Sequence, residues 1–137
     1  MKATILSLCL VITLAFSSCD TSNSISSNPA QVASSGTWRV SLFTDSGNDE
    51  TNNFSGYSFA FTSGGTLTVQ KSGVSQNGTW SVSASSNKFN IDLGAKSGTN
   101  PLGELTDDWK ILSSSSTEIR LGDDNSSSNE FLTFSKN

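Results

Sequence analysis

In this 137-residue sequence the residues whose pairing or spacing hints at chemistry are its adjacent carboxylates and its two cysteines. There is no histidine and there are only two cysteines. Ser-His-Asp and Cys-His catalysis, histidine-ligated metals, zinc ribbons and a disulfide framework are therefore excluded. Adjacent carboxylates occur at Asp49-Glu50, Asp107-Asp108 and Asp123-Asp124. Glycoside hydrolysis needs two carboxyl groups facing each other across a cleft, and neighbours on one loop do not provide that. The oxygen-rich stretches 45–50 and 122–125 lack the twelve-residue spacing of a calcium loop. Asp107 and Asp108 are expected to shape the turn ahead of Trp109 through side-chain to backbone hydrogen bonds. No catalytic residue, metal or cofactor is expected, and the function is read as binding.

The cysteines point to location. Lys2 precedes an apolar stretch at residues 3–16, which is too short to span a bilayer as a permanent helix. It ends in Phe16-Ser17-Ser18-Cys19, which resembles a bacterial lipobox. The resemblance implies a lipoprotein signal peptide at 1–18, with Cys9 inside it. Cys19 would then be acylated on sulfur and, after cleavage, on its new amino terminus. At about 0.8 kcal/mol per buried methylene, several acyl chains hold a protein firmly to a membrane. The expected location is the cell envelope, on the outer membrane of a Gram-negative bacterium. Residues 19–35 are Ser-rich and almost free of large apolar side chains, so a flexible tether reaching roughly 20–25 Å is expected.

Those residues must be carried by a domain spanning 36–137, where apolar and polar residues alternate with a period of two. Trp38-Val40-Leu42, Tyr57-Phe59-Phe61, Leu67-Val69, Trp80-Val82 and Phe89-Ile91-Leu93 give five candidate strands. Trp109-Ile111, Ile119-Leu121 and Leu132-Phe134 give three more. Turn clusters separate them: Ser63-Gly64-Gly65, Ser72-Gly73, Gln76-Asn77-Gly78, and residues 84–87, 113–116 and 122–129. Gly64-Gly65 is the expected two-residue hairpin. Two longer polar connections, 44–53 and 95–105, show no amphipathic helical pattern. The fold class is all-β: an antiparallel up-and-down meander of about eight strands closed into a small barrel, with no helix required.

Gly-Thr-Trp occurs at 36–38 and again at 78–80, and both copies read as strand starts with a glycine before a core tryptophan. Together with Tyr57-Ser58-Phe59-Ala60-Phe61, Gly64-Gly65, residues 105–111 and residues 130–134, they resemble the lipocalin-like domain of bacterial, Bacteroidetes-type, lipoproteins. The resemblance spans residues 36–136. It implies a barrel whose first-strand tryptophan, Trp38, closes one end beneath an arginine from a late strand. Arg120 is the only late arginine, and it falls on the seventh candidate strand. No counterpart of the C-terminal helix of full lipocalins is expected within residues 36–137.

Two functional readings remain open. An eight-stranded barrel holds either packed side chains or one small molecule, and here one face carries nearly all the large apolar residues. A small hydrophobic ligand would sit at an open end against Trp38, Tyr57, Phe59 and Trp109. Alternatively, the loops 44–53 and 95–105 contact a protein or polysaccharide. Without Lys2 the chain has 7 basic and 12 acidic residues, and the basic ones are scattered singly. Nucleic acid and anionic headgroups are poor partners for such a chain, and a monomer is expected.

Overall fold

The computed structural model describes residues 28–137; the expected signal peptide, Cys19 and the first part of the expected tether lie outside the described residues. Nine antiparallel strands follow one another: β1 (Thr37–Asp45), β2 (Asn48–Asp49), β3 (Ser58–Phe61), β4 (Thr66–Lys71), β5 (Val74–Ser83), β6 (Lys88–Asp92), β7 (Asp107–Ser114), β8 (Glu118–Gly122) and β9 (Phe131–Lys136). From β3 to β9 each pairs with the next, and β1 pairs with both β3 and β9, so eight strands close an up-and-down barrel. The ninth, β2, is a two-residue flap on the end of β1. The period-two pattern is the cause, because one face of every strand had to be buried.

The interior is aromatic. Phe61 meets Trp80, Phe89 and Phe134 edge-on at 5.2, 5.5 and 5.4 Å between ring centroids. Phe59 meets Phe134 at 5.2 Å. Two β-bulges interrupt the alternation. In β1 the register shifts between Val40 and Leu42, which turns Leu42 outward and Phe43 inward. In β7 the shift between Ile111 and Ser113 breaks the alternation after exposed Leu112, so that Ser113 is exposed as well. Inward placement expected for Leu42 is thereby corrected.

Two glycine readings also change. Gln76-Asn77-Gly78 is not a turn but part of β5. A Cβ on Gly78 would lie 2.1 Å from the Asp92 carbonyl oxygen, so glycine is needed there for close approach to the end of β6. The two-residue hairpin is Ser72-Gly73, with φ of 51° and 82°, and it pairs Lys71 directly with Val74. At 62–65 only Gly65 takes a positive φ, and its N–H donates to the Thr62 carbonyl at 3.0 Å.

Both ends of the barrel are closed by short helical turns that the sequence hides. At the N-terminal end lies α1 (Pro29–Ala33), formed by residues expected to be tether. Asn28 Oδ1 accepts from the Ala30 N–H at 3.1 Å, and Pro29 occupies the first turn. Val32 and Ala33 are buried. The helix contacts β5, and the Trp38 indole of β1 donates to the Ala33 carbonyl at 2.8 Å, so α1 reaches across the barrel mouth. At the opposite end the 3-10 turns Thr51–Phe54 and Pro101–Leu105 drive Phe54, Leu102 and Leu105 inward. The Trp109 indole donates to the Leu105 carbonyl at 2.9 Å and ties the second turn to β7. The expectation of a helix-free domain fails because each short turn buries only one or two apolar residues.

Candidate binding clefts at the loop end

The meander sends the connections after β1, β4, β6 and β8 to one end of the barrel, opposite α1. The connection from Leu93 to Thr106 is shaped by its own polar groups. Thr106 Oγ1 accepts from the Leu93 N–H and donates to the Gly94 carbonyl, both at 2.9 Å. The Asn100 amide donates to the Leu93 and Ala95 carbonyls. Gly103 presses on residues 95 and 96, where a Cβ would come within 2.4 Å of the Lys96 nitrogen.

This folding opens a cleft of about 420 Å³ with Phe43, Asp45, Lys96, Gly103, Glu104 and Glu130 among its lining residues. Lys96 Nζ stands 3.5 Å from Asp45 and 3.3 Å from Glu104, joining the two long connections by ion pairs. The Glu104 carboxylate holds its ammonium above the usual lysine pKa, with Asp45 adding to the effect. Glu104 Oε2 is buried and makes no hydrogen bond among the described residues. Burial raises the Glu130 carboxyl from 4.5 to about 6; the charges of Asp45, Asp123 and Asp107 push the same way and Lys96 opposes them. Burial also raises Asp107. Asp49 and Asp123 move down, because hydroxyl hydrogen bonds from Thr51 and Ser128 favour their ionised forms. Lys88 is bound by Asp108 and Asp124 on the flank. The cleft suits a ligand or partner surface that brings hydrogen-bond donors or positive charge.

A second cleft of about 260 Å³ lies between the β4–β5 turn and the Pro101–Leu105 turn, lined in part by Tyr57, Val69, Lys71, Val74 and Leu102. Of the four residues expected to share a ligand pocket, Tyr57 is half-buried and lines this cleft, with Lys71 Nζ 4.3 Å from its ring centroid. Phe59 is 6.5 Å from Tyr57, centroid to centroid, in the core. Trp38, Phe59 and Trp109 are each 0% exposed. Trp38 faces α1 and Trp109 faces the opposite end, so these four residues do not meet around one space. The cation over Trp38 is Lys136 from β9, 5.5 Å from the ring centroid, and not Arg120, which is exposed beside Glu118. Lys71, Val74, Lys96 and Glu130 were missed as site residues. Their convergence depends on which strand ends share a rim, although the acidic loops were a usable signal.

Among the described residues, no group of three or more His, Cys, Asp or Glu side chains is placed to hold a metal ion, and no helix is long and apolar enough to cross a membrane. No protein-family model matches the sequence, and no curated protein matches it. The fold is similar to the crystal structure of a DUF4847 family protein from Bacteroides vulgatus, at a TM-score of 0.58 and 18% sequence identity, over 78% of this chain and 96% of that one.

Proposed function

We propose that this chain is an accessory lipoprotein of the bacterial envelope, anchored through acylated Cys19, that binds a protein or polysaccharide partner at the loop end of a filled barrel. One observation carries the choice: the lumen is occupied by aromatic side chains and closed at both ends, while the two long connections converge on the cleft bearing Asp45, Glu104 and Glu130. The buried, packed side chains of the lumen support a rim site over a lumenal one. Of the twelve acidic residues, ten lie at or beside the loop end, away from the end where residue 28 leaves the domain. An anchored chain would therefore present its acidic end outward.

Deleting residues 95–103 would be a poor test, since it removes buried Leu102. The triple variant Asp45→Asn, Glu104→Gln, Glu130→Gln keeps side-chain shape and removes the charge. It should lose the partner recovered with the unmodified chain from envelope extracts while keeping a cooperative melt. Undiminished co-purification would defeat the proposed surface. Labelled palmitate should enter the chain and fail to enter Cys19→Ser; no incorporation would remove the anchor.

A further inference from the structure

We propose that the second loop-end cleft binds a small amphipathic monoanion, with its apolar tail against Val69, Val74 and Leu102 and its head group on Lys71. The site goes beyond the partner surface, which lies in the other cleft.

Two independent features mark it. The first is an uncompensated cation. Lys96 is neutralised by Asp45 and Glu104, and Lys88 by Asp108 and Asp124, yet among the described residues no carboxylate lies within ion-pair distance of Lys71. At an end crowded with acids this is unusual. The half-buried Lys71 side chain instead places its ammonium over the Tyr57 ring, which leaves its N–H donors for an anion.

The second is an apolar side chain left in water. Val74 is 72% exposed, the highest value among the exposed large hydrophobic residues. The Ser72-Gly73 turn pairs it directly opposite Lys71. Opposed residues on neighbouring strands share a face, and Lys71 follows Val69 by two positions, so cation and valine stand together on the rim above the core. Leu102 forms part of the opposite wall. The Gln76 amide, which also lines the cleft, is spent on the Leu93 carbonyl at 3.0 Å, as is that of Asn100 at 3.3 Å. Lys71 is the one charged side chain in the lining, and so the group that meets an anionic head. At about 260 Å³, the space is below the roughly 300 Å³ at which drug-sized pockets begin. A carboxylate with a short alkyl or aryl tail fits it.

Tyr57 is the only tyrosine, so 3-fluorotyrosine places a single fluorine reporter at the cleft. The full chain, as purified from cells, would be titrated with hexanoate, hexan-1-ol and acetate while the fluorine resonance is followed by NMR. A saturable shift with hexanoate is expected, weaker by at least about tenfold for the uncharged alcohol and for the tailless anion. Lys71→Met keeps the stem and should lose at least about tenfold in hexanoate affinity; Val74→Asp, on an exposed turn, should lose binding too. The Glu104→Gln, Glu130→Gln background should titrate unchanged, which separates this site from the partner surface. A flat hexanoate titration on folded protein, equal response to hexanol, or Lys71→Met behaving like the parent would each overturn the proposal.

Discussion

Glu130 shows how one side chain reports the electrostatics of a whole end. Folded, its carboxyl keeps its proton up to about pH 6, because burial and the charges of Asp45, Asp123 and Asp107 oppose ionisation; unfolded, it releases the proton near 4.5. Between those values the folded state binds more protons, so its contribution to stability falls as pH rises and is at its lowest above about 6. Glu130→Gln should therefore gain stability relative to the parent at pH 7 and show a shallower decline between pH 4.5 and 6, read by urea unfolding at several pH values. Identical pH slopes for the two proteins would refute this assignment. The sequence revealed that the loops are acidic, but not that residue 130 would share a rim with 45 and 104. That proximity is created by barrel closure, through the pairing of β1 with β9. Trp38 was legible as a core residue because a glycine-led strand start fixes its side. The ring's cationic neighbour was not, because Lys136 reaches it from a strand paired only at long range.

At the scale of elements, the strands were readable and the closures were not. Alternation of one apolar face against water makes a strong periodic signal even in a serine-rich chain. A 3-10 turn that buries Leu102 and Leu105 inside an Asn-, Pro- and Gly-rich connection has no periodicity to detect. The same applies to α1, whose five residues sit in a stretch that composition alone assigns to a tether. The bulges were equally hidden, since a single inserted residue at Ser41 or Leu112 leaves the local composition unchanged while reversing the side chains beyond it. If α1 is a working part of the barrel, a charge on its buried face must be felt globally. Val32→Asp would place an unpaired carboxylate at a site 8% exposed, and a loss of about 3 kcal/mol or more is expected in urea unfolding. Gln31→Asp, one position earlier on the exposed side of the same helix, should change stability by less than about 0.5 kcal/mol. Equal, small effects from both would mean that α1 rests on the barrel without supporting it.

For the molecule as a whole, the question is what the barrel's volume is used for. Its aromatic rings interlock through Phe134, which is fully buried and meets Phe59 and Phe61 edge-on. Under the proposed function, such a lumen leaves recognition to the rim, where the loops place their charges. A void made at the centre should turn a barrel closed to apolar ligands into one that accepts them. Phe134→Ala is expected to cost about 3–5 kcal/mol, combining lost burial with the residual cavity. A cavity lined by apolar side chains stays dry and takes up small apolar molecules, so benzene-saturated buffer should raise the melting temperature of the variant, by preferential binding to its folded state. The parent should not respond. If it gained as much as the variant, the barrel would already contain room for a ligand, and recognition would have to be sought inside it; with a response in the variant alone, the aromatic filling is what keeps the lumen out of use.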